Sequence, residues 1–201
     1  MNQERRLKRL REALEKEHLD ALLITNPYNR RYMTGFTGSA GMVLISQTQA
    51  LLFTDFRYRT QAPMEAKGYE VVEQTNDPLR EMIPYLQKEN IKRLGFEKHH
   101  VPYGNYLKFQ DVWGQIVQLV PTENIVENLR MIKDTEELEI LREAANLADR
   151  TFEHILQHIR PGVSEREIAL EMEFFMRKNK ATSSSFDTIV ASGERSALPH
   201  G

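Results

Sequence analysis

The chain has 201 residues, 40% of them hydrophobic and 28% charged, a balance that excludes a disordered segment, and no apolar run nears the roughly 18 residues of a membrane span. Lys plus Arg number 27 against 29 for Asp plus Glu, a net charge of -2, which removes any broad electrostatic reason to expect nucleic acid. Cysteine is absent, so disulfides, thiolate metal sites and a cysteine nucleophile are excluded together, and a soluble cytoplasmic protein is expected.

The first twenty residues are basic and amphipathic, but Glu4, Glu12, Glu15 and Glu17 argue against a transit peptide. Leu7, Leu10 and Leu14 share one face, which predicts a surface helix packed on a sheet. DALLITNP then reads as a buried strand closed by an Asn26-Pro27 turn. GMVLI at 41–45 and ALLFT at 50–54, separated by Ser46 to Gln49, read as a hairpin. Tyr69 to Val72 and Arg93 to Phe96 supply two further strands. Between them Pro78 to Lys88 has a helical start at Asp77-Pro78 and an apolar side of Leu79, Met82, Ile83 and Leu86. A last run, Ile116 to Val120, is predicted to end at Pro121. Strands alternating with helices over about the first 120 residues make an α/β domain.

After Pro121 the pattern changes. Leu138, Leu141, Ala145, Ala148, Phe152, Ile155 and Ile159 step by threes and fours, predicting a helix from Thr135 to Ile159 with Asp134 or Thr135 as its cap. Ser164 with Glu167 forms a capping box for a second helix through Ile168, Met172, Phe175 and Met176. FDTIVAS has strand character, and the chain reaches Leu198-Pro199-His200-Gly201 before any sheet that these helices could cover. The second domain is therefore expected to be incomplete.

Several motifs carry possible chemistry. TGFTGSAG at 34–41 lacks a Walker lysine and a GxGxxG spacing, and Thr37 stands where a nucleophile elbow around Ser39 needs glycine. A tight turn is the better account, with a binding loop as the alternative. Asp55 and Arg57 follow an apolar strand, where a structural ion pair competes with a ligand contact. His99 and His100 are adjacent and cannot share one metal. His154 and His158 are one helical turn apart without the glutamate of HExxH, and are expected on the solvent side. His200 follows Pro199 near the end of an element, where an imidazole can meet a substrate.

TGFTGSAG followed by LLFTDFRY resembles the N-terminal domain of the Xaa-Pro aminopeptidase and prolidase family, which has a creatinase-like fold. LRMIKDTEELEILREA at 129–144 is similar to that family's entry into its catalytic domain. SSFDTIVASGERSALPHG at 184–201 resembles the first strand and turn of the pita-bread catalytic domain. The resemblance implies a creatinase-like α/β domain with a mixed sheet at 1–121, a linker at 122–134, and the first helices and strand of an incomplete α+β pita-bread domain at 135–201.

It also implies a proline-specific metallopeptidase that hydrolyses the Xaa-Pro bond of a peptide with a water activated between two divalent metal ions, Mn or Co. His200 corresponds to the family's PHG histidine, a substrate contact that stabilises the intermediate. Arg57 becomes a candidate substrate-binding residue at a neighbouring subunit's active site, within a homo-oligomer, expected to be a dimer. The family's metal ligands, two Asp, one His and two Glu, lie beyond that histidine, so no metal ligand, no bound metal and no activity are expected of this chain alone. Two other readings share the fold: a non-catalytic peptide- or protein-binding module, and a creatinase-type C–N hydrolase.

Overall fold

Leu10 and Leu14 are fully buried one turn apart on α1 (Asn2–Lys16), the first element of the computed structural model, which describes residues 2–75 and 77–199. They rest on a six-stranded mixed sheet of β1 (Ala21–Ile24), β2 (Met42–Ser46), β3 (Ala50–Thr54), β4 (Glu70–Glu73), β5 (Arg93–Glu97) and β6 (Gln118–Thr122), in the order β4-β3-β2-β1-β5-β6. β1 pairs antiparallel with β2, and β2 with β3, so the predicted hairpin forms with Val43 opposite Leu52. The pairs β1–β5, β3–β4 and β5–β6 are parallel. Because β1 is central and covered on both faces, all four of its residues are buried, which explains its unbroken apolar run.

Strand periodicity divides the core in two. Leu22, Ile24, Val43, Ile45 and Leu52 face a layer that holds Leu10 and Leu14, together with Met33 of α2 (Pro27–Thr34) and Val126 and Leu129 of α6 (Ile125–Met131). Leu23, Leu44, Leu51, Phe53 and Leu94 face the opposite layer. There Met82 and Leu86 of α4 (Pro78–Lys88) pack with Phe109 and Trp113 of α5 (Tyr103–Trp113). Each fully buried side chain of this size contributes about 1.5–3 kcal/mol before entropic costs, so the sheet rather than any helix propensity sets the fold. A short α3 (Gln61–Glu65) follows β3 and contributes Ala62 to the first layer.

Some boundaries differ from the sequence reading. Asn26-Pro27 opens α2 rather than a bare turn, with the Asn26 side chain accepting from the amides of Tyr28 and Asn29 and Pro27 in the first turn. β6 does not stop before Pro121 but runs through it, with Pro121 opposite Phe96. Gln118 and Thr122 bond towards β5, so Pro121 between them faces away on an outer strand, where a missing N–H breaks no ladder bond. The stretch 122–134, suggested as a linker, carries α6 with Ile125, Val126 and Leu129 buried.

The chain divides into two compact units, residues 1–132 and 133–201. The second holds α7 (Thr135–Leu156) and α8 (Glu165–Lys178), each opened by a complete capping box, Asp134 with Glu137 and Ser164 with Glu167. FDTIVAS at 186–192, expected as a strand, forms none: among the described residues of this unit no strand offers its backbone a ladder partner. A single turn of 3-10 helix follows at Gly193–Ala197.

Candidate functional site

The glycine-rich stretch 34–41 leaves α2 through Gly35, whose φ of 79° is the left-handed conformation that closes the helix with a bond to the Arg31 carbonyl. Arg30, one turn earlier and only 4% exposed, turns back under the loop. Its Nη1 donates to the Gly41 carbonyl at 2.8 Å and its Nη2 to the Gly38 carbonyl at 2.6 Å. Burial pulls this guanidinium below its usual range, yet arginine stays charged at any ordinary pH. Two charge-assisted bonds to carbonyls therefore fix the turn from inside. Gly38 lies flush on Phe36, where a Cβ would come within 2.1 Å of the ring.

The opposite side of the loop is tied to the segment after β3. The Tyr58 hydroxyl accepts from the Ser39 amide at 3.0 Å and pairs with the Ser39 hydroxyl at 2.8 Å, and its ring meets Phe36 edge-on at 5.1 Å. The Ser39 bonds, with Arg57 nearby, lower the Tyr58 pKa. Thr54 donates to the Ala40 carbonyl at 2.7 Å, and Glu65 accepts from the Thr37 amide at 2.8 Å. The loop is thus a structural turn, held from both sides.

Arg57 lies beside it, its guanidinium 5.3 Å from the Tyr58 ring centre. It forms a two-pronged pair with Asp55, Nε to Oδ1 at 2.8 Å and Nη2 to Oδ2 at 2.7 Å. That pairing drops the Asp55 pKa and raises that of Arg57. The Arg57 side chain remains 56% exposed. The two features singled out in the sequence, the glycine loop and Arg57, are brought together on one rim through Tyr58. His200 lies outside the described residues. Leading towards it, the Ser192 amide and Arg195 Nη1 donate to the two carboxylate oxygens of Glu165 at 2.7 and 2.8 Å.

Sequence reasoning missed a second polar hub. Glu97, at the end of β5 and 9% exposed, accepts from the amides of Thr25 and Asn26 at 2.7 Å each, and from Asn29 Nδ2 at 2.7 Å. Asn29 also donates to Glu127 and accepts from Arg130 on α6. One carboxylate thereby locks the β1–α2 junction to β5, and its negative charge sits at the N-terminus of the helix that carries Arg30. No spacing rule marks Glu97, because its partners lie about seventy residues earlier.

His99 stays in the turn after β5 and lies 3.2 Å from Glu123. His154 and His158, expected on the solvent side, are partly exposed and also turn towards α8, where His154 Nε2 lies 2.6 Å from Glu171 Oε1. Among the described residues no helix is long and apolar enough to cross a membrane.

Residues 6–132 match the family model of the Creatinase/Prolidase N-terminal domain. The chain belongs to that family. Residues 139–201 match a second model, Metallopeptidase family M24. An uncharacterized peptidase of Bacillus subtilis, YqhT, is 47% identical over 98% of this chain and 55% of its own length. The solved structure of an Xaa-Pro dipeptidase from Bacillus anthracis superposes with a TM-score of 0.94 and 49% identity over 100% of this chain and 56% of that one. An X-Pro aminopeptidase from Thermotoga maritima gives 0.85 and 36% over 94% of this chain and 55% of its own. This creatinase/prolidase-type chain therefore spans about half the length of the relatives it matches.

A metallopeptidase model implies divalent metal ions. The ligand set expected from the family, two Asp, one His and two Glu, is not assembled among the described residues. Among the described residues the His and carboxylate group that converges is His154, His158 and Glu171, two imidazoles with a single carboxylate. The residues present do not fit a carboxylate-rich pair of metals.

Proposed function

We propose that this chain is the N-terminal part of a proline-specific metallopeptidase, an Xaa-Pro dipeptidase or aminopeptidase, acting as a cytoplasmic homodimer with manganese or cobalt. The reading rests on one observation above all: likeness to an Xaa-Pro dipeptidase runs unbroken through both units, at 49% identity over 100% of the chain. In it, residues 1–121 form a domain that borders a neighbouring subunit's active site, 122–134 connect by way of α6, whose apolar face packs on that domain, and 135–201 begin the catalytic domain. His200 contacts the substrate and steadies the developing oxyanion, and Arg57 offers its guanidinium to the peptide.

The test is a chimera in which this chain replaces the matching 56% of the Bacillus anthracis relative. Metal-dependent hydrolysis of an Xaa-Pro dipeptide and of a longer Xaa-Pro peptide is expected. A folded, metal-loaded chimera that leaves both intact would sink the reading in favour of a non-catalytic binding module. Cleavage of a guanidino compound instead would point to C–N hydrolysis. The 201-residue chain alone is expected to give no turnover.

Within the chimera, Arg57→Ala is expected to raise KM for the longer peptide several-fold with kcat nearly unchanged. A contact remote from the reacting atoms binds ground state and transition state alike. A fall in kcat with constant KM would remove Arg57 from the substrate-binding role.

A further inference from the structure

His154 and His158 stand at i and i+4 on α7, so their rings leave the helix on one face, 4.5 Å apart between centres. That face is turned to α8, which supplies Glu171. Oε1 of Glu171 lies 2.6 Å from His154 Nε2 and 3.9 Å from His158 Nε2, and one ligand atom from each of the three residues lies within 4.8 Å of the others. The rings are also oriented. His158 Nδ1 lies 3.0 Å from the His154 carbonyl oxygen, which places its proton on Nδ1 and leaves the Nε2 lone pair facing the carboxylate. Phe175 of α8 stacks on the His154 imidazole at 4.2 Å.

His158 Nε2 and Glu171 Oε1 stand beyond hydrogen-bond distance, His154 Nε2 reaches the same oxygen, and the three ligand atoms converge on one spot. We propose that His154, His158 and Glu171 bind one zinc ion, which ties α7 to α8. Two borderline imidazole nitrogens and one carboxylate oxygen are a zinc set; magnesium and calcium demand oxygen ligands throughout. Metal–ligand bonds of about 2.0–2.2 Å put tetrahedral neighbours about 3.3 Å apart. The two observed distances bracket that figure, so small rotations of a half-exposed glutamate and its histidines suffice. Side-chain exposures of 26%, 40% and 34% let an ion enter from water, and the site opens on a hollow lined by Glu167, Ile168 and Phe174. Three protein ligands leave a fourth position for water. The proposal does not depend on the peptidase function.

The test uses the metal-free 201-residue chain titrated with zinc chloride, followed by calorimetry and by the nitrogen-15 resonances of its six histidines. One equivalent is expected, with the Nε2 resonances of His154 and His158 moving together and the melting temperature rising with zinc. His158→Gln and Glu171→Gln should each weaken binding by about tenfold or more and abolish the thermal shift. His99→Gln should leave both unchanged. Should a variant lose helical ellipticity, the wild-type resonances decide alone. Absence of a bound equivalent, or movement confined to His18, His99, His100 or His200, overturns the proposal. Equal occupancy by magnesium does so as well.

Discussion

Glu97→Ala is expected to speed amide exchange at Leu22 and Leu23 roughly 10²–10³-fold, the equivalent of about 3–4 kcal/mol of opening free energy. The carboxylate is the shared acceptor for two amides and one side-chain N–H, all at 2.7 Å. Each buried donor left without a partner costs about 1–3 kcal/mol, and slight exposure at the hub lets water recover part of it. Glu97→Gln keeps the shape but replaces an acceptor with a donor, so a smaller loss of about 1–2 kcal/mol should follow. The damage should travel: α2 hangs from this hub, and Arg30 on α2 holds the 35–41 turn. Exchange at Gly38 and Ser39 should therefore quicken too. Unchanged exchange at β1 would mean that water or Glu127 takes over the acceptor role.

His200→Ala in the chimera should lower kcat about 10²–10³-fold, or about 2.7–4 kcal/mol of barrier, with little change in KM. The size follows from the proposed role. A donor aimed at the oxygen that gains charge on the way to the tetrahedral intermediate is worth more in the transition state than in the bound substrate. His200→Gln retains an N–H and should recover part of the loss. Equal effects on kcat for cleavage and on binding of unreactive peptide would mark His200 as a binding residue only.

Much of the architecture was legible because its determinants are local. The alternation in β2 and β3, the Asp77-Pro78 start of α4 and the capping boxes at Asp134 and Ser164 each act within a few residues. What escaped depends on distant partners. α5 was missed because only Phe109 and Trp113 of its eleven residues are buried, which leaves a faint periodic pattern. α6 was hidden behind Pro121, which read as a stop until β6 proved to be an outer strand. FDTIVAS has the composition of a strand, but a strand is a relation between two segments.

The site divides the same way. Arg57 and the glycine loop stand out in the sequence, and Tyr58 joins them through bonds to Ser39 only nineteen residues away. Glu97 and Arg30 were invisible because burial of a charge is decided by what folds over it. The pair His154 and His158 was visible at helical spacing, yet the third member, Glu171, lies on the next helix, and only its position turns two histidines into a site.

Trp113 is the chain's single tryptophan, fully buried, stacked on Phe109 at 4.9 Å and hydrogen-bonded through its indole N–H to the Leu79 carbonyl at 2.7 Å. Its emission therefore belongs wholly to the first unit. Melting of α7 and α8, 22 and 14 residues long, registers in ellipticity near 222 nm, where helices dominate. Tryptophan emission thus reports on the first unit and ellipticity on the helices of both, so the difference between the two melting curves isolates α7 and α8 without a label.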